Sequence, residues 1–141
     1  MSDYPTILIA IQPKYADLIF EGLKKVELRR VKPKRIGDGS IVLLYVSSPI
    51  KSIAGGFRVK NIVEEPINKL WKKVYNLAGI SRKDFEKYYC GNSKGVGIFI
   101  ENTWKYSKPF SLVELRKNLN NFIPPQSFRY ATQEETSYIG V

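Results

Sequence analysis

Residues 12–29 read QPKYADLIFEGLKKVELR, and the hydrophobic period changes within them. Pro13 suits a first helical position, where its missing N–H costs nothing. Ala16, Ile19, Phe20 and Leu23 then recur at i, i+3, i+4 and i+7, which predicts an amphipathic helix with Gly22 near its C-terminal end. From Val26 the period drops to two. Val26 and Leu28 alternate with Lys25, Glu27 and Arg29, the pattern of a strand with one apolar and one charged face. Side chains two apart share a face of a strand, so Lys25, Glu27 and Arg29 are expected to point together. Glu27, lying between cations, should form an ion pair that orients Arg29 for a planar acceptor such as a phosphate or a base edge. Lys24 falls at the junction of helix and strand.

Upstream, Ile7, Ile9 and Ile11 alternate with Leu8 and Ala10, apolar on both faces as in a central strand. Downstream, Gly37-Asp38-Gly39 marks a turn, and residues 41–46 a strand closed by Ser47-Ser48-Pro49. Residues 52–63 read as a long strand interrupted at Gly55-Gly56, where paired glycines predict a bulge or a close backbone approach. Pro66 opens a helix bearing Ile67, Leu70, Trp71, Val74 and Ala78 on one face, ended by Gly79. Ser81 caps a short helix with Phe85, Tyr88 and Tyr89. Val96, Ile98 and Ile100 alternate through a strand running towards Tyr106, and Ser111 with Glu114 forms a capping box before Leu112, Leu115 and Leu119. The tail is irregular until its last residues. The expectation is one α+β domain over residues 1–141, with about five strands and three or four helices, compatible with a small barrel.

The 141 residues contain no histidine, which excludes Ser-His and Cys-His catalysis and imidazole-bound zinc. Cys90 is the single cysteine, so no intrachain disulfide or thiolate metal cluster is expected, and at a helix end it reads as inert. No cofactor and no metal are expected. The only early apolar stretch, residues 7–11, is far too short to span a membrane and lacks a signal peptide's basic start, which predicts a cytoplasmic protein. Lys and Arg number 23 against 13 Asp and Glu, a formal charge of +10. Residues 24–36, KKVELRRVKPKRI, hold seven basic residues against Glu27, a net +6. Such a charge favours a polyanion, nucleic acid first. No basic amphipathic helix shows an exposed apolar face, so membrane binding is not expected. Lys24, Lys25, Arg29, Arg30, Lys32, Lys34 and Arg35 are the candidate nucleic-acid contacts of this run.

Near the end, residues 124–130 read PPQSFRY. Phe128 and Tyr130 can stack on a base, Arg129 can meet phosphate, and Gln126 can read a base edge. The alternative is that Phe128 and Tyr130 cover the core while the prolines route the chain. Ser47 and Ser48, beyond a strand end, either donate to a ligand or close a turn. Trp71, on the apolar face of its helix, reads as core.

The segment from Gln12 to Arg29 resembles the ASCH family, whose pattern G-x-K-x-x-E-x-R stands here as Gly22, Lys24, Glu27 and Arg29. YVSSP (Tyr45 to Pro49), the LWKK helix at Leu70, GISRKDF (Gly79 to Phe85) and PPQSFRY extend the similarity towards an archaeal and phage branch described as predicted transcription regulators. The resemblance implies a β-barrel related to PUA domains and a nucleic-acid-binding module, with RNA or an unpaired or modified nucleotide favoured over duplex DNA. It also implies two enzyme alternatives. Some relatives are amidohydrolases acting on acylated cytidine through a lysine, a threonine and a glutamate. Lys24 matches that lysine, but Glu27 stands where the threonine would be. No counterpart of the acid precedes Ser81, and Asp84 and Glu86 belong by pattern to the following helix. Other relatives are ribonucleases, for which Lys24 and Arg29 could stabilise a pentacovalent phosphate without the usual histidines. An enzyme would thus use Lys24 and Glu27. A transcription adaptor is the remaining alternative, although no helix-turn-helix is evident and no protein partner is indicated.

Overall fold

The computed structural model describes residues 3–141. In chain order its elements are β1 (Ile7–Ile11), α1 (Pro13–Phe20), β2 (Val26–Arg29), β3 (Ile41–Val46), β4 (Ser52–Pro66), α2 (Ile67–Val74), α3 (Arg82–Tyr88), β5 (Lys94–Ser111), α4 (Leu112–Asn118), β6 (Phe128–Tyr130) and α5 (Gln133–Ile139). The strands form one sheet in the order β2-β5-β4-β3-β1-β6, curled into a half-barrel. β1 and β3 are parallel, and the other neighbours are antiparallel.

The continuous apolar run of β1 follows from burial on both faces. Ile7, Ile9 and Ile11 join Val42, Leu44, Phe57 and Val59 in one cluster. Leu8, between them, belongs to a second cluster with Leu43, Tyr45, Leu115 and Ile139, where α4 and α5 cover the sheet. A third cluster sets Val26 and Leu28 against Leu70, Val74 and Phe85 of α2 and α3. The apolar face of β2 is therefore pressed onto helices, which leaves its charged face to the curl.

The glycine pair of β4 bends the sheet as its sequence suggested. Register shifts fall between Ile53 and Gly55 and between Gly56 and Arg58. A Cβ on Gly55 would collide with the Trp104 carbonyl oxygen, and one on Gly56 with the Val42 carbonyl oxygen. Only the missing side chains let strands approach this closely.

The element count exceeds the expectation: six strands and five helices are present among the described residues. The extra pair lies in the tail. β6 spans three residues, too short to show a period, and α5 is announced by a capping box in which Thr132 and Glu135 exchange side-chain and backbone bonds. At Ser111 the corresponding box is half made, its hydroxyl accepting from the Glu114 amide at 3.2 Å. α1 stops at Phe20, and Leu23, expected on its apolar face, is 62% exposed. No helix among the described residues is long and apolar enough to cross a membrane.

Candidate functional site

The turn after α1 decides which basic residue enters the protein. Gly22 takes φ +79°, in the left-handed region. The amides of Leu23 and Lys24 then both donate to the Leu18 carbonyl, at 2.9 and 3.0 Å. This folds the Lys24 side chain inward until it is 3% exposed. Lys25 follows with its backbone paired on both sides, its amide to Leu77 and its carbonyl to the Ile100 amide, and its side chain is exposed. The expected trio is corrected accordingly. Glu27 and Arg29 do share a face of β2, but Lys24 joins them and Lys25 does not, because the strand begins only at Val26.

Lys24 Nζ donates to the Ala78 carbonyl, stands 3.7 Å from Glu27 Oε1 and lies 5.2 Å from the centre of the Tyr15 ring. Burial holds its pKa below the ordinary lysine value. The Glu27 carboxylate opposes that shift, and the Arg29 charge adds to it. Arg29 Nη2 donates to Glu27 Oε2 at 2.6 Å and to the Ala10 carbonyl at 2.9 Å. Its Nη1 reaches the carbonyl and hydroxyl of Ser127, both at 3.4 Å. Arg29 Nε is buried and has no partner in the protein.

These groups line a cleft of about 210 Å³ together with Tyr15 of α1, Ile80, and Asp84 and Tyr88 of α3. Tyr88 donates to the Leu28 carbonyl at 3.3 Å, and burial raises the pKa of its phenol. The lining is not basic as a whole: Lys24 and Arg29 are matched by Glu27 and Asp84. The cationic surplus lies outside, on exposed Arg30, Lys32, Lys34 and Arg35. Arg30 stacks over Tyr88, its guanidinium carbon 4.1 Å from the ring centre, and donates to the Tyr88 carbonyl. No group of three or more Asp, Glu and Cys side chains converges as metal ligands among the described residues.

The PPQSFRY tail divides. Phe128 and Tyr130 are half-buried against the β1 cluster, and the Tyr130 hydroxyl accepts from the Arg35 amide at 2.8 Å. This is the core-covering alternative. Arg129, expected to meet phosphate, instead pairs through both terminal nitrogens with Glu135, at 2.7 and 2.8 Å. It also donates to the Ile123 carbonyl. Burial pushes the Glu135 carboxyl up, but the Arg129 bonds and those from Thr132 outweigh it and hold it below the usual range. Gln126 is exposed and does not line the cleft. Ser47 closes a turn, with its amide to Ile11 and its carbonyl accepting from Ile50.

Tyr15, Asp84 and Tyr88 were not anticipated as lining residues. Asp84 and Tyr88 lie four apart on α3 and so share a face, a signal that could have placed them together. Nothing in the local pattern brings Tyr15 towards Lys24, because that depends on the turn at Gly22.

The fold and the sequence together place the chain in a family. The ASCH domain model matches residues 9–109, and the chain belongs to this family. An ASCH domain-containing ribonuclease of Zymomonas mobilis is 31% identical over 139 residues, covering 96% of this chain and 93% of the relative. The crystal structure of ASCH from Zymomonas mobilis superposes with a TM-score of 0.90 at 28% identity, over 98% of this chain and 95% of that one. The large ribosomal subunit protein uL22 of Ureaplasma parvum is 30% identical over 125 residues, which are 89% of this chain but only 39% of that longer protein.

Proposed function

We propose that this ASCH domain binds single-stranded RNA, seating one unpaired base in the Lys24–Glu27–Arg29 cleft and laying the flanking phosphates on Arg30, Lys32, Lys34 and Arg35. The observation that carries this reading is the grouping of hydrogen-bond donors, Lys24 and Arg29, with acceptors, Glu27 and Asp84, around one cleft, the mixed set that a base edge presents in return. Size supports the same occupant. At about 210 Å³ the cleft falls below the roughly 300–1,000 Å³ of drug-sized ligand sites, which suits one base and excludes a duplex. Tyr15 and Tyr88 offer aromatic surface for stacking. The balanced charge of the lining favours a neutral base inside, with the phosphates outside on the cationic run.

The test is a titration with single-stranded RNA, single-stranded DNA and duplex DNA at two salt concentrations, with strand integrity followed in the same samples. Salt-sensitive binding that prefers single-stranded RNA and weakens in Arg29→Ala supports the reading. A preference for duplex DNA, or affinity indifferent to salt, overturns it.

A second reading is RNA cleavage, favoured by the Zymomonas mobilis relative bearing the name ribonuclease. Lys24 and Arg29 would then stabilise the charge that develops on a pentacovalent phosphorus. Cleavage in the same titration that disappears in Lys24→Met would select it.

A further inference from the structure

Helix α3 has two working faces. Asp84 and Tyr88 face the cleft, whereas Arg82, Phe85 and Glu86 line a second depression of about 630 Å³, walled on its other side by Trp71, Lys72 and Tyr75 of α2 and the turn after it. We infer that this groove is a second base-stacking subsite, occupied by another nucleotide of the same RNA strand whose unpaired base fills the cleft. The inference rests on the RNA reading above and extends it.

Aromatic geometry supports a base as the occupant. Phe85 is 1% exposed and forms the floor. Trp71 stands 4.9 Å from Phe85 and 6.2 Å from Tyr75, centre to centre. Tyr75 is 57% exposed, a large apolar ring presented to solvent beside a half-buried Trp71. Base-aromatic stacking tolerates any sequence, because every base has a π-face.

Charge separates a polyanion from other apolar ligands. Helix α2, INKLWKKV, carries Lys69, Lys72 and Lys73 and no acid. Lys73 is held by Glu65 at 2.8 Å, which leaves Lys72 on the groove itself. Glu86, the one carboxylate lining the groove, is paired with Arg82 at 3.0 Å and so adds no net negative charge. Lys83 and Lys87 are exposed on α3 and line neither site, which leaves them to meet a backbone that crosses the helix. One helix is about 10–12 Å across, a gap that a short stretch of extended strand bridges.

The test is calorimetric titration with 2′-O-methyl oligouridylates of one to six nucleotides, which resist cleavage through the 2′-oxygen. Wild type should gain affinity once the strand is long enough to reach the groove. Tyr75→Ala should remove about tenfold of affinity for the six-nucleotide probe and leave that for the mononucleotide unchanged. Lys72→Glu should weaken the longer probe in the same way. Both positions are exposed, and unchanged circular dichroism and melting would confirm that the variants fold. If the long probe binds through Arg29 but neither variant alters it, the groove is not a subsite and the cleft reading stands. If no probe binds in an Arg29-dependent manner, both readings fall.

Discussion

The Arg29 guanidinium donates to the Ala10 carbonyl at 2.9 Å, across the gap between the β2 edge of the sheet and β1. β6 pairs with only Ile7 to Ile9 of β1. The Ala10 amide is then met by the Ser127 carbonyl at 2.9 Å, and Arg29 supplies the partner for the same residue's carbonyl. A candidate ligand-binding side chain thus also closes the curl. Arg29→Ala should therefore lower stability by about 1.5–3 kcal/mol, the range for hydrogen bonds to charged groups. Arg29→Lys should recover only part, since one ammonium cannot match the guanidinium fork. Urea unfolding tests this: the midpoint should fall with the slope unchanged.

Lys24 makes a prediction about pH. Burial lowers its pKa in the folded protein. As pH rises towards the ordinary lysine value, the folded side chain loses its proton before the unfolded one does. The unfolded state then binds more protons, so the Lys24 contribution to stability increases with pH. Well below the folded pKa both states are charged, and the burial penalty is present in full. The difference between wild type and Lys24→Met should accordingly shift in favour of wild type as pH rises from neutral towards the ordinary lysine value. Tyr88 and Tyr89, whose phenols burial raises, work against stability only at higher pH. A difference that stays flat across this window would show that Lys24 keeps its proton there.

Arg129 and Glu135 separate stability from binding. The Glu135 carboxyl lies below its ordinary range when folded, so its contribution is complete above the unfolded pKa and lost as pH falls through the folded one. Glu135→Gln should cost about 1.5–3 kcal/mol at neutral pH, and the cost should vanish in acid. RNA affinity of the folded variant should match wild type, because this pair lies outside the cleft lining. A selective loss of affinity would return Arg129 to the nucleic-acid contacts.

The legible parts of the molecule are those where local pattern and tertiary packing agree. β1 through β4 form where the sequence places strands, and register shifts flank Gly55-Gly56 as paired glycines predict. Glu27 and Arg29 were readable as partners because strand alternation alone puts them on one face. Lys24 and Lys25 were not separable that way. Which of them turns inward depends on Gly22 adopting a positive φ and on both following amides sharing the Leu18 carbonyl. The tail misled for another reason: Arg129 looks like a phosphate ligand until Glu135, six residues later, is brought back by α5. Tyr15 and Tyr88 come from separate helices, and only the assembled fold makes them neighbours of the cleft.

The glycine pair can be tested directly. Gly55→Ala would press a methyl group onto the Trp104 carbonyl and the Phe20 ring, and Gly56→Ala would press one onto the Val42 carbonyl. Backbone cannot rotate away as a side chain can. Each change should cost about 1–3 kcal/mol, the usual penalty of overpacking, seen as a lower melting temperature. Tolerance of both substitutions would mean that the β4 bend does not depend on this close approach.

The cationic run yields a prediction in salt rather than in stability. Lys32, Lys34 and Arg35 are exposed, and surface charges of this kind contribute little to folding. If they hold phosphates, each released counterion adds about 0.7 to the slope of log affinity against log salt for a single strand. The variant Lys32→Gln, Lys34→Gln, Arg35→Gln should then melt like wild type while its slope becomes shallower by about 2. Arg29→Ala should act differently. On the proposed reading it removes a donor to the base, so affinity should fall at every salt concentration with the slope nearly unchanged. A triple variant with the wild-type slope would place the phosphates elsewhere, and the basic surface of α2 and α3 would be the next to neutralise.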